Sequence, residues 1–404
     1  MREQPALLLY CQHSLGMGHL VRSLVLARAL AERFRVVFLN GGPVPRGVVR
    51  PRGVTFVDLP PLGFDAEGRL VSRDGRRAVA RAEDVRRAMI LQTFRELRPE
   101  VVVVELFPFG RKKFAGELLP LLDAAHALGS ARPLVVSSLR DILVTGRKNQ
   151  ADHDARACGL ANRYLDAVVV HADPRFVRLE ESFQPPEPLR VPVRYTGFVL
   201  GERRAGPAAA ERVVVSAGGG LVGGPLFRAA LEAQQLLWRA ERLPMTLVAG
   251  PFLPAAEWRA LMQARRRPGL VLRRSVASLE DELRRAAASV SQCGYNTALE
   301  LVRARVPAVV VPFRERGEDE QWTRARRLEQ LGIVRMLEPE RLSGATLAEE
   351  IRKVRERPPA AVALDLDGAT GTTQLLLAML AERGRRTETT LVRRQQVGGH
   401  GHLA

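Results

Sequence analysis

The chain of 404 residues is 46% hydrophobic and 26% charged with a formal net charge of +18, so it can bury a sizeable core and, by its length, form more than one domain. Its cysteines, Cys11, Cys158 and Cys293, lie far apart and in no metal-ligand spacing, which excludes a disulfide framework or cysteine-held zinc and fits a reducing cytoplasm. Lysine occurs only at Lys112, Lys113, Lys148 and Lys353; the remaining basic residues are dispersed arginines that do not interleave with the scarce aromatics, which argues against nucleic acid as the main partner.

The charge instead points to phosphorylated ligands or an anionic membrane surface, or reflects an arginine bias of the source. The polar opening over 1–5 does not read as a signal peptide, and no apolar run reaches the ~20 residues of a membrane helix. Residues 6–10 predict a buried strand, and the turn 14–19 leads into Leu20, Leu24, Ala27 and Ala31 at helical spacing. Residues 35–39, closed by Asn40-Gly41-Gly42-Pro43, and 54–57 predict two further strands. A basic helical stretch over 75–97 leads to the all-valine strand 101–104, then an amphipathic 114–128 and strands at 134–137, 167–170 and 194–197. Strands alternating with helical patterns imply a mainly parallel sheet with right-handed crossovers.

Residues 202–210 turn into Arg, Gly, Pro and Ala and predict a linker. The alternation restarts at 213–216, with a helix near 226–239 and strands at 245–248, 270–272 and 308–311. The expected organisation is therefore α/β throughout: a domain over 1–200, a second over 201–366, a terminal helix over 367–383 packing back on the first domain, and an unstructured tail over 384–404.

Ligands of open α/β sheets bind beyond the carboxyl ends of the strands, beside helix amino ends that favour anions. The turn Gly16-Met17-Gly18-His19, with Arg22 behind it, is such a place, and His19 adds a proton acceptor unless it is only a helix-start residue bonded to backbone. Gly218 and Gly219, after the strand 213–216, form a second phosphate-loop candidate. Farther on, Gly294, Asn296 and Thr297 stand where a helix begins and backbone N–H groups are unpaired, so a diphosphate could dock there. Glu300 shares their helical face and suits the hydroxyls of a ribose; alternatively Thr297 and Glu300 form a capping box that merely starts a helix. Glu320 and Gln321 follow a strand end, where sugar hydroxyls could meet them, or belong to a charged surface loop. Asp365-Leu366-Asp367 matches a short metal-binding pattern but reads better as the cap of the last helix, so no metal site is expected.

Taken in order, these runs resemble the GT-B superfamily of nucleotide-sugar glycosyltransferases, and within it the family 28-like branch of the peptidoglycan N-acetylglucosaminyltransferase that acts on a lipid-linked acceptor. Gly16-Met17-Gly18-His19 resembles that branch's glycine–histidine loop, and residues 291–300 its donor-site helix start. Residues 306–313 with Asp319-Glu320-Gln321 resemble the strand and loop that meet the donor sugar, and Tyr195-Thr196-Gly197 the entry to the hinge. Phe107-Pro108-Phe109-Gly110-Arg111 suggests a distinct bacterial subgroup. The first loop lacks the branch's doubled glycines, and Cys293-Gly294-Tyr295 replaces a run of small residues.

The resemblance implies two Rossmann-like domains facing across a cleft. It assigns His19 as general base or as a holder of the acceptor's phosphate, Glu300 to the ribose, Asn296 and Thr297 to the diphosphate, and Glu320 and Gln321 to the sugar. It further implies a UDP-linked sugar as co-substrate, inversion, no metal and no cofactor, with a lipid-linked or small-metabolite acceptor and peripheral contact with the inner face of the membrane. His19-Leu20-Val21-Arg22 is also similar to the loop of a GT-B enzyme that hydrolyses a UDP-linked sugar, so a nucleotide-sugar hydrolase or epimerase is the enzymatic alternative. The alternative of another class is a basic protein binding nucleic acid or anionic lipid on an inactive scaffold.

Overall fold

The computed structural model describes residues 4–13, 18–44, 48–65, 68–75, 77–201, 211–314 and 319–398, with side chains through residue 385. Gly16 and the expected linker 202–210 lie outside the described residues. The first domain runs β1 (Ala6–Cys11), α1 (Gly18–Leu30), β2 (Arg35–Asn40), β3 (Val54–Asp58), a hairpin of β4 (Leu62–Phe64) and β5 (Leu70–Ser72), α2 (Val79–Leu97), β6 (Val101–Glu105), α3 (Ala115–His126), β7 (Leu134–Leu139), α4 (Gln150–Tyr164), β8 (Ala167–Val170) and β9 (Val193–Tyr195). Its sheet has the order β3-β2-β1-β6-β7-β8-β9, and every pairing in it is parallel.

The second domain runs β10 (Val213–Ser216), α5 (Gly224–Glu241), β11 (Met245–Val248), α6 (Ala255–Met262), β12 (Leu270–Arg273), α7 (Leu279–Leu283), β13 (Ala288–Ser291), α8 (Tyr295–Ala304), β14 (Ala308–Val310), α9 (Glu320–Gln330), β15 (Arg335–Met336) and α10 (Gly344–Arg355). Its parallel sheet has the order β12-β11-β10-β13-β14-β15. Strands such as Val101-Val102-Val103-Val104 are buried throughout because helices cover both faces, which is why they read as unbroken apolar runs.

In each sheet the order reverses beside the first strand, between β1 and β6 and between β10 and β13. Loops leave such a switch point in opposite directions and open a crevice at the strand ends. Gly18 and His19, at the start of α1, and the end of β6 meet at the first crevice, and the Gly218 loop and the start of α8 at the second.

The last helix, α11, spans Gly368–Gly398, well past residue 384, where the sequence reading placed an unstructured tail. No glycine or proline interrupts residues 385–397, and their Arg, Glu, Gln and Leu favour helix. Its first turns pack Ala369 and Leu376 into the cluster of Leu20, Leu24 and Ala27 on α1, so the terminal helix crosses back onto the first domain. The hairpin, α4 and α10 have no counterpart among the predicted elements.

Candidate active site

On the first sheet, His19 Nδ1 lies 2.5 Å from Glu105 Oε1 at the carboxyl end of β6. Arg22 Nη2 donates to the same oxygen at 2.5 Å, and Arg111 Nη2 donates to Oε2 at 3.2 Å. Leu106 and Arg111 both adopt left-handed backbone, with φ of 64° and 60°, and this fold of the Phe107-Pro108-Phe109-Gly110 segment turns Arg111 back onto the strand end. Burial favours a neutral Glu105, but His19 and Arg111, with Arg22, outweigh it and hold the carboxyl well below its ordinary range. Burial pushes His19 down to about 3, Arg111 reinforcing the fall and Glu105 opposing it. Two guanidiniums already match the carboxylate, so a proton on His19 would add a third buried cation. An ionised carboxylate can only accept, which puts the imidazole proton on Nδ1 and leaves the Nε2 lone pair for a substrate.

Arg22, expected in the acceptor-side loop, is instead buried on α1 and braces Glu105, because an i+3 position from His19 returns to the sheet side of the helix. Gly18 opens α1 directly opposite the second domain: a Cβ on it would stand 4.0 Å from Asn296 Nδ2.

On the second sheet, α8 starts at Tyr295 with Gly294 as N-cap and no side-chain cap. Thr297 therefore sits inside the first turn, and the capping-box reading of Thr297 and Glu300 does not hold. A Cβ on Gly218 would stand 3.7 Å from Thr297 Oγ1, so the β10 loop reaches the same helix end. The Gly219 carbonyl accepts the Phe252 N–H at 2.9 Å, and a Cβ on neighbouring Gly220 would stand 2.2 Å from the Ala249 carbonyl, so the loop packs closely on the backbone after β11. Glu300 makes no hydrogen bond or ion pair to another described residue; burial, then the nearby Glu280, raises its carboxyl to about 7.

Glu320 and Gln321 are already engaged. Glu320 Oε1 accepts from Arg140 Nη1 at 3.0 Å across the cleft, while Gln321 Oε1 accepts from the backbone of Cys293 at 3.1 Å and of Phe313 at 3.2 Å. Thus Gly18, beside His19, approaches Asn296 across the domain boundary and Gly218 reaches Thr297, while Glu320 pairs with Arg140 and Gln321 holds the Cys293 backbone. The Asp365-Leu366-Asp367 run is structural: the Asp365 carbonyl accepts the Phe198 N–H at 2.7 Å, and Asp367 pairs with Val199. Among the described residues no group of three or more His, Cys, Asp or Glu is arranged to hold a metal, and no helix is long and apolar enough to cross a membrane.

Residues 275–366 match the glycosyltransferase family 28 C-terminal domain. The fold is that of several solved glycosyltransferases. MurG of Acinetobacter baumannii is 15% identical, with 93% of this chain and 100% of that one covered and a TM-score of 0.55. UGT2 of Phytolacca americana, complexed with UDP-2fluoro-glucose and pterostilbene, is 15% identical over 94% of this chain and 100% of its own, with a TM-score of 0.56. A Glycyrrhiza uralensis protein complexed with glycyrrhetinic acid 3-O-monoglucuronide is 12% identical over 98% and 100%, with a TM-score of 0.62. No curated protein matches the chain. The chain has the GT-B fold, and its residues 275–366 match a glycosyltransferase domain.

The matched stretch contains Gly294, Asn296, Thr297, Glu300, Glu320 and Gln321. Three site residues escaped the sequence reading: Glu105, Asp141 and Arg324. The one available signal was a lone acidic residue at the end of an otherwise apolar strand, Glu105 after four valines and Asp141 shortly after 134–139. In a parallel sheet that is the ligand end. Arg324 carries no such signal, since it is one of many arginines on a polar helix.

Proposed function

We propose that this protein is a glycosyltransferase that moves a sugar from a nucleoside diphosphate, UDP by its family likeness, to a hydroxyl acceptor with inversion, using neither a metal nor a cofactor. The single observation that supports the reading is the approach of Gly18, beside His19, to Asn296, whose Nδ2 would stand 4.0 Å from a Cβ on Gly18. On one side is a neutral imidazole oriented by Glu105; on the other is an uncapped helix start bearing Asn296 and Thr297, with Glu300 one turn on.

His19 Nε2 takes the proton of the acceptor hydroxyl as its oxygen bonds to the anomeric carbon. The bond from that carbon to the diphosphate oxygen breaks on the opposite face. Glu105 accepts from Nδ1–H and stabilises the imidazolium that forms. The leaving diphosphate gains charge against the amino end of α8, where backbone N–H groups and the helix dipole offset it. Glu300 accepts from the ribose hydroxyls. The acceptor is a lipid-linked or small phosphorylated molecule, for which the excess of 62 basic over 44 acidic residues provides long-range attraction, as it does for peripheral contact with an anionic membrane.

Calorimetric titration with UDP, followed by incubation with UDP-sugars with and without candidate acceptors, tests the reading. Absence of nucleoside-diphosphate binding at millimolar concentrations removes the donor site. Fast sugar release that no acceptor accelerates replaces transfer by hydrolysis. Steeply salt-dependent RNA or DNA binding without nucleotide affinity replaces the enzyme by a binding protein.

A further inference from the structure

A line of contacts outside the proposed chemistry runs from the acceptor-side domain into the nucleotide loop of the other domain. Asp141, just after β7, and Arg324, on α9, are 1% and 2% exposed. Arg324 Nε and Nη2 donate to the two oxygens of Asp141 at 2.7 and 2.8 Å, a bidentate pair across the domain boundary. The remaining Nη1 of Arg324 donates to the Cys293 carbonyl at 2.7 Å. The Cys293 N–H is held by Gln321 Oε1 at 3.1 Å, so both backbone polar groups of that residue are fixed. Two residues on, the Tyr295 hydroxyl donates to the His171 carbonyl at 3.0 Å and accepts the Val199 N–H at 3.0 Å.

In a trans peptide the carbonyl of one residue and the N–H of the next point in opposite directions. Pinning the Cys293 carbonyl on Arg324 therefore turns the Gly294 N–H away from Arg324, at the start of the helix that carries Asn296 and Thr297. A free carbonyl at this turn would rotate and set a partial negative charge against the diphosphate.

We propose that Asp141 is a positioning residue for the nucleotide site: acting through Arg324 it fixes the Cys293 peptide, so that donor affinity is set by a carboxylate of the opposite domain. The inference rests on the donor-site reading above. It also makes the nucleotide loop sensitive to domain separation, because parting the domains removes Asp141 from Arg324.

Replacing a buried ion pair by apolar side chains of similar volume is commonly neutral or stabilising, so packing and carbonyl orientation can be separated. The test uses the full chain with Asp141→Leu/Arg324→Met together and with Asp141→Asn alone, should the double variant not fold. Three quantities are measured: thermal unfolding, UDP affinity by calorimetry, and amide exchange of residues 293–297. The expected result is faster exchange confined to 293–297, unchanged protection of β1 and β10, and UDP affinity lowered by about tenfold or more. UDP affinity within about twofold of wild type with unaltered exchange at 293–297 overturns the proposal, as does a uniform loss of protection, which marks a purely structural pair. If the wild-type chain binds no UDP, the donor-site reading fails and the exchange at 293–297 alone decides whether Asp141 orders the loop.

Discussion

Glu300→Gln keeps the side chain's shape and removes a charge that makes no hydrogen bond or close ion pair to another described residue, although the Arg303 charge partly offsets it. Burial and Glu280 raise this carboxyl from 4.5 to about 7. In the unfolded chain it ionises near its ordinary value, so between those limits the native state holds a proton that the unfolded state has lost. Wild-type stability therefore falls as pH rises through that window and levels off above it. At ~1.4 kcal/mol per pH unit the ionised side chain costs about 3 kcal/mol by pH 8, which the glutamine variant does not incur. The variant should melt a few degrees above wild type at pH 8 and together with it near pH 4.5. The same substitution should weaken UDP binding at pH 8 by about ten- to a hundredfold, the worth of charge-assisted bonds to a ribose. Melting curves at both pH values and calorimetric titration at pH 8 read the two effects. Equal melting at pH 8, a melting difference that persists at pH 4.5, or unchanged UDP affinity would each refute the assignment of Glu300 as a carboxylate held unpaired for a ligand.

His19→Ala should cut turnover by about two to four orders of magnitude while leaving UDP affinity within about twofold, measured by product formation and calorimetry side by side. Because His19 stays neutral down to about 3, the acid limb of kcat/KM should show no step near 6.5. A limb near pH 7 that disappears in Glu300→Gln belongs to Glu300, whereas one at 6.5 that survives it contradicts the neutral imidazole. Arg86→Ala should destabilise the first domain by about 3–5 kcal/mol, seen as a lowered denaturant midpoint, because it strands a buried carboxylate. Arg86 Nε and Nη2 bind Glu117 at 2.7 and 2.6 Å while Nη1 reaches the Gly41 and Pro60 carbonyls at 2.8 and 2.9 Å. A midpoint shift under about 1 kcal/mol would show that the pair contributes little.

The amino-acid order alone determined the parallel strands, because runs such as Val101-Val102-Val103-Val104 and Val213-Val214-Val215 have no polar face to expose and fit only a sheet covered on both sides. It also determined the glycine turn after β10, since its turn chemistry is local. The placement of His19, Asn296, Thr297 and Glu300 near helix starts was legible for the same reason: each lies within a few residues of a strand-to-helix turn. The short hairpin was not legible because its strands are three residues each, too short to show a period, and α4 because its sequence is largely polar.

Only the tertiary structure decided which groups share a charge. Glu105 receives His19 and Arg22 from a helix more than 80 residues away, and Asp141 receives Arg324 across 183 residues. It also decided that Glu320 meets Arg140 rather than lying open, and that Glu300 stays unpaired. Ionisation depends on burial and on the nearest opposite charge, and neither quantity has a local signature in the order of residues.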